Sequence, residues 1–217
     1  GLLYNSNLMP YDRATDSYWS QMRFDCVRGE RQSETFALFP VEETEWQTIR
    51  EMYPDLNVMS LNTGHNRSYG NYPYGNYKET QELIFPADNS DDQRLHRKER
   101  VLGIVGPEQE TTVYRFEGQD VFVDEVAGKE YLIISNASEN YMMAFANQLI
   151  NDTTSLSFQM AQGSKGAVMT DNRGNTWNLF GEAIDGPLKG ARLQPARSLI
   201  GFWFTWPAFY GKEVNIH

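Results

Sequence analysis

The stretch Val121-Phe122-Val123-Asp124-Glu125-Val126-Ala127-Gly128-Lys129-Glu130 is rich in β-branched and aromatic residues and closes on a Gly-Lys turn. It reads as a strand that ends in a tight reversal. The rhythm continues on both sides. Thr111–Phe116, Tyr131–Ser135, Met142–Asn147 and Ser155–Met160 are short segments of the same make-up, set apart by Gly, Asn or Asp. Short strands separated by turns predict a mainly β chain, a β-rich α+β fold.

Self-similarity is the second signal. Asp12, Trp19, Gly29, Phe36, Trp46, Tyr53 and Val58 are echoed by Asp171, Trp177, Gly186, Leu193, Trp203, Tyr210 and Val214. Two of the matches are tryptophan, of which the chain has 5. The pattern predicts two related sheet-plus-helix repeats. The strand-rich residues 101–170 precede Asp171, whereas only residues 1–11 precede Asp12. The first repeat is therefore expected to be N-terminally incomplete, which would leave sheet edges unpaired. On this reading residues 1–61 are a truncated first repeat, 62–100 an inter-repeat loop region, and 101–217 the second repeat.

Each repeat carries one expected helix. Thr44 and Gln47 have capping-box spacing, and Glu42, Glu43 and Glu45 put negative charge at the positive end of the helix dipole. Trp46, Ile49 and Tyr53 would share a face, with Pro54 ending the run. In the second repeat Ser198 is the expected cap of a helix through Phe202-Trp203-Phe204-Thr205-Trp206. That run is apolar nearly all round, so it should be buried.

The chain has 217 residues, 40% hydrophobic and 22% charged, with a formal net charge of −10. A general nucleic-acid binder needs a basic field, so nucleic acid is not an expected partner. No apolar run is long enough to span a bilayer as a helix. The single cysteine, Cys26, excludes an intramolecular disulfide. Its neighbours Arg23 and Arg28 suit a reactive thiolate, while a small buried strand side chain is the alternative. No nucleophile elbow, Walker loop, zinc-protease motif or dinucleotide fingerprint occurs. His65, His96 and His217 lie far apart in sequence, and no metal site is assigned. Catalytic residues and cofactors cannot be named from the sequence, and enzymatic activity stays open.

Residues 62–100 hold the best binding candidates. Tyr69-Gly70-Asn71-Tyr72 and Tyr74-Gly75-Asn76-Tyr77 form a local doublet. Tyrosine offers flat apolar area with one hydroxyl, suited to sugar rings, peptides or a partner surface, while a Gly/Asn-rich loop whose rings pack over a core edge is the alternative. Arg67 can grip an anion. The run Arg94-Leu95-His96-Arg97-Lys98-Glu99-Arg100 follows Asp88, Asp91 and Asp92. Arg97 could bind phosphate or carboxylate as a fork, or the run could be a solvated face paired with its own acids. The candidate ligand-binding set is Arg67, Tyr69, Tyr72, Tyr74, Tyr77, Arg97, Lys98 and Glu99.

Gly1-Leu2-Leu3-Tyr4-Asn5-Ser6-Asn7-Leu8, Tyr11-Asp12-Arg13, Trp19-Ser20-Gln21, Thr63-Gly64, Tyr69-Gly70, Lys98-Glu99-Arg100-Val101-Leu102-Gly103 and Phe202-Trp203-Phe204 resemble the bacterial domain-of-unknown-function family 3179. The resemblance covers nearly the whole chain. It implies an extracytoplasmic protein, periplasmic, lipid-anchored or secreted, with no settled activity. It also implies an upstream segment with a Cys-Pro-Leu-Cys-type motif. The family's Gly-Pro-Leu-x-Gly run stands at Gly186–Gly190, while Arg28-Gly29-Glu30-Arg31 takes its place in the first repeat. Three functions remain open. The first is an exported module that binds a small molecule or a partner protein through the inter-repeat loop. The second is part of a thiol-redox or metal-dependent enzyme whose cysteines lie in a missing N-terminal segment. The third is a structural subunit that pairs with such a segment, or with another chain, through strand edges.

Overall fold

The computed structural model describes residues 2–152, 156–162 and 166–217. Gly1 of the opening octet and Ser155 of the strand expected over Ser155–Met160 lie outside them. A hairpin of β1 (Leu2–Tyr4) and β2 (Asn7–Met9) opens the chain, turned at Asn5 and Ser6 with positive φ. β3 (Tyr11–Asp12), β4 (Ser17–Ser20) and β5 (Asp25–Arg28) follow as an antiparallel meander. After α1 (Trp46–Met52), residues 53–99 contain only a 3-10 turn at Tyr77–Glu79.

The strand-rich part then begins with β6 (Arg100–Val105), β7 (Thr111–Arg115), β8 (Gln119–Val126), β9 (Lys129–Asn136) and β10 (Tyr141–Leu149). β8 and β9 are joined by Ala127 and Gly128, both at positive φ, the conformation of a type I′ hairpin turn. β11 (Phe158–Met160), β12 (Met169–Asp171), β13 (Thr176–Trp177) and β14 (Ala183–Asp185) form a second meander. β15 (Leu193–Pro195), β16 (Ser198–Phe202), α2 (Thr205–Tyr210) and β17 (Asn215–Ile216) complete the chain. Two larger sheets have the orders β15-β10-β9-β8 and β16-β6-β7-β17, the last pair parallel. The fold is β-rich, as expected.

β9 and β10 are buried on both faces. Leu132, Ile134, Met143 and Phe145 pack with Trp177 and Leu179 on one side. Ile133, Met142 and Ala144 pack with Leu102, Ile104 and Tyr114 on the other. A third cluster joins the first meander to the closing sheet, Met22 and Phe24 lying with Val101, Val113, Trp203 and Trp206. Gly103 of β6 sits under Trp206, where a Cβ would lie 2.1 Å from the indole ring. Only glycine allows that approach.

The two meanders make the same main-chain bonds at matching positions. The Cys26 amide donates to Glu34 O (2.8 Å) and Ala183 to Ala191 O (2.9 Å). Phe36 donates to Phe24 O (3.0 Å) and Leu193 to Gly181 O (2.8 Å). Asp12 and Asp171 each accept the amide two residues on, from Ala14 and Arg173. The Tyr210 hydroxyl of α2 donates to Met22 O in the first meander, and the Tyr53 hydroxyl lies against the Leu179 backbone in the second.

Tryptophan surroundings do not match in the same way. Trp19 is half-buried and stacks on Phe36, whereas Trp177 is fully buried and donates to Asp171 Oδ2 at 2.9 Å. Trp203 is buried and Trp46 is 53% exposed. Three local expectations are corrected. Thr44 does not cap α1; its hydroxyl donates to Glu139 O, and Gln47 turns to Glu51. Thr48, not Trp46, is the buried residue of α1. Ser198–Phe202 is a strand on β6, and the helix starts at Thr205.

Candidate functional site

Residues 62–100 are pinned down by polar side chains. Asn5, buried in the first hairpin turn, donates to Ala208 O (2.8 Å) and accepts the Asp88 amide (3.0 Å). Asn89 donates to Pro207 O at 2.9 Å. These asparagines tie residues 88–89 to the end of α2, where the Ala208 carbonyl takes the Asn5 amide and the Pro207 carbonyl takes Asn89 beside the Gly211 backbone amide.

Lys98 is buried, and its ammonium donates to Tyr77 O (2.5 Å), Glu82 O (2.5 Å) and Thr80 Oγ1 (3.2 Å). Three donors meet three acceptors, so the charge is carried inside without a vacancy for a ligand. The ammonium also lies 3.3 Å from the centre of the Tyr77 ring. Burial holds its pKa below the usual lysine value. Arg97 is likewise spent on its own loop, donating to Ser90 O (2.7 Å) and Gln81 O (2.8 Å). Glu99 pairs with Arg115 at 2.6 Å. The basic run therefore staples the loop to the body.

Arg94, which sequence reading left outside the candidate set, is the centre of this staple. It forms a fork with Asp92, donates to Val214 O (2.8 Å) and Lys212 O (3.0 Å), and lies over Trp203. The Arg94 guanidinium holds Asp92 below the usual carboxylate range. A depression of about 590 Å³ nearby is lined by Gln81, Gln93, Arg94, His96, Arg97 and Arg115 among others. Its three arginines are all engaged by acceptors of the chain itself.

The tyrosines are placed differently. Tyr69, Tyr72 and Tyr74 are exposed and Tyr77 is half-buried. The Tyr72 and Tyr74 rings meet edge to face at 5.6 Å, and Tyr74 and Tyr77 lie 6.4 Å apart. Lys78 sits 4.8 Å from the centre of Tyr72. Arg67 is exposed, and its guanidinium makes no hydrogen bond or ion pair among the described residues. Of the expected set, Tyr72, Tyr74, Tyr77 and Lys98 are thus brought together. Arg97 and Glu99 serve the loop anchor, and Tyr69 bonds instead to Thr63 (2.5 Å).

Cys26 is buried with its thiol toward Arg28 O, the environment of a packed side chain. Among the described residues no group of three or more His, Cys, Asp or Glu is arranged to hold a metal ion. The most perturbed carboxyl is Glu42, pushed up to about 8 by burial against the pull of the Met142 amide and Arg100. It stands in a run of acids that reads as a solvated helix start, so no sequence signal marked it.

A family model described as a protein of unknown function, DUF3179, matches residues 1–213. No curated protein and no solved structure matches the chain.

Proposed function

The chain belongs to the DUF3179 family of unknown function, and we propose that it is a non-catalytic recognition module of an extracytoplasmic bacterial protein, with the tyrosine loop as its binding surface. One observation carries the reading. Tyr72 and Tyr74 are held out of the core in mutual contact, on a loop that Lys98, Arg97, Asn5 and Asn89 anchor from below. An anchored loop loses little conformational entropy on binding, and exposed tyrosine supplies amphipathic contact area at low cost. Arg67 and Lys78 add positive charge next to the rings in sequence, so the ligand class favoured is a sugar or peptide carrying a carboxylate or phosphate. The extracytoplasmic setting rests on the family.

Ligand binding is tested by fluorescence and thermal shift with neutral and acidic saccharides and acidic peptides, on wild type, Tyr74→Ala and Arg67→Ala. An acidic ligand should raise the melting temperature of wild type, and Tyr74→Ala should weaken it about tenfold or more, the loss of one stacking contact. A panel with no binder, or a binder indifferent to both substitutions, overturns the reading.

A further inference from the structure

The opening hairpin holds large apolar side chains in water. Leu2, Leu3, Tyr4 and Leu8 are all exposed, Leu2 by 61%. The hairpin is nevertheless fixed at both ends. At its turn the Asn5 side chain donates to Ala208 O (2.8 Å) and the Ser6 hydroxyl to Phe85 O (2.7 Å), while the Tyr4 ring meets Phe209 edge to face at 5.6 Å. At its exit the Trp19 amide of β4 donates to Pro10 O (2.9 Å). Between these ties a depression of about 440 Å³ lies between the hairpin and the strands β4 and β5.

Its lining has two parts. Leu2, Leu3, Met9 and Phe209 give apolar walls, and Arg23 and Arg28 give cations. No carboxylate lines it among the described residues. The local charge thus runs against that of the chain, which is −10 overall. Arg28, the cross-strand partner of Tyr18, is exposed, and its guanidinium has no hydrogen-bond or ion-pair partner among the described residues. Arg23 gives Nη2 to Asp25 (3.0 Å), and its Nε is buried without a partner. Arg94, Arg97 and Arg115 differ, since acceptors of the chain itself engage their guanidiniums.

We propose that this depression binds a single-chain aliphatic carboxylate, a fatty-acid anion in monomeric form, its tail along the apolar walls and its head on Arg28 and Arg23. Both parts of the lining call for such a ligand. An inorganic anion would leave the walls in water, and a neutral hydrocarbon would leave the cations unmatched. The guanidinium fork fits the two oxygens of a carboxylate. The volume is that of a small-molecule site. A hairpin tied at both ends keeps the site formed before the ligand arrives, so little ordering is lost on binding. The site shares no residue with the tyrosine loop.

Isothermal titration calorimetry of the 217-residue chain tests this with hexanoate, octanoate and decanoate, each below its micellar concentration, and with octanol as the neutral counterpart. Affinity should rise about threefold to fourfold with each added methylene. Octanol should bind about tenfold or more weakly than octanoate. Arg28→Gln should weaken octanoate about tenfold and leave octanol unchanged, whereas Leu2→Ser should weaken both. Both substituted side chains are exposed, so the melting temperature without ligand should not move. The proposal is overturned by a chain that does not bind decanoate, by an affinity indifferent to tail length, or by octanol that binds as tightly as octanoate. It is equally overturned by Arg28→Gln or Leu2→Ser at wild-type affinity, or by association only with vesicles of anionic phospholipid. Tyr74→Ala should bind decanoate as wild type does. A loss there would move the carboxylate to the tyrosine loop and overturn this site alone, so the two readings fail separately.

Discussion

In the first meander the Ser17 hydroxyl accepts the Arg31 amide (3.2 Å), and Gly29 lies against the Asp16 carbonyl. In the second, Asn175 Oδ1 accepts the Leu188 amide (2.6 Å), and Gly186 lies against the Gly174 carbonyl. Ser17 and Asn175 are both fully buried, and so share a task despite different side chains. Past Phe36 and Leu193 the likeness of main-chain bonding gives way. α2 is roofed by β6, with Trp203 and Trp206 buried, while α1 touches the body mainly through Thr48 and Tyr53. The comparison separates two kinds of specification. A meander is set by a few short polar residues and one glycine, all close in sequence. Burial of the helix that follows is set by a strand far away.

The largest expected difference between the units lies in those helices. Trp203→Ala should cost about 3–5 kcal/mol in urea unfolding, the usual range for a large aromatic cut out of a packed core. Trp46→Ala, at the matching position, should cost under about 1 kcal/mol because its ring is largely in water already. Equal costs would mean that the Trp46 ring is packed as closely as that of Trp203.

The glycines should behave alike, which tests the likeness. Gly29 has φ +115, and a Cβ there would lie 2.2 Å from Asp16 O. Gly186 has φ +98, and a Cβ would lie 2.7 Å from Asn175 Cα. Both backbones are left-handed and both neighbours are main chain, which cannot move aside cheaply. Each Gly→Ala change should therefore destabilise by about 2–3 kcal/mol. If one is tolerated, the two turns are not equivalent.

Much of this architecture is legible in the residues themselves. The β-branched runs between 111 and 147 coincide with β7 to β10, because alternation and turn residues act locally. Asp171, Trp177 and Gly186 mark the second meander because each is a local anchor. The failures are nonlocal. Ser198–Phe202 reads as a helix start, since a short apolar run has no period to separate a buried strand from a buried helix; pairing with β6 decides it. Thr44 looks like a cap and is taken by Glu139 O instead. Lys98 looks like a ligand cation, but its acceptors stand 16 to 21 residues away in sequence. The tyrosine doublet is plain in the sequence, but whether its rings pack over a core edge or face water is not; the fold exposes Tyr69, Tyr72 and Tyr74.

The smallest expected effect concerns Glu42, which the sequence repeat, if it holds in the fold, would align with Leu199. Burial pushes the Glu42 carboxyl from the ordinary 4.5 up to about 8; the nearby Arg100 charge opposes the shift and the Glu43 charge adds to it. Tyr141 lies close enough to feel its charge. The folded chain thus holds a proton that the unfolded chain releases near the ordinary value. The associated stability is complete below about pH 4.5, and it is lost as pH rises toward about 8. Because the carboxyl keeps some contact with solvent, the loss should be about 1–2 kcal/mol, well short of the full shift. Glu42→Gln should remove that slope when urea unfolding is compared at the two ends of the window. Glu42→Leu should remove it as well and leave Trp203 and its helix untouched. A slope that persists in both variants would assign the titration to another group.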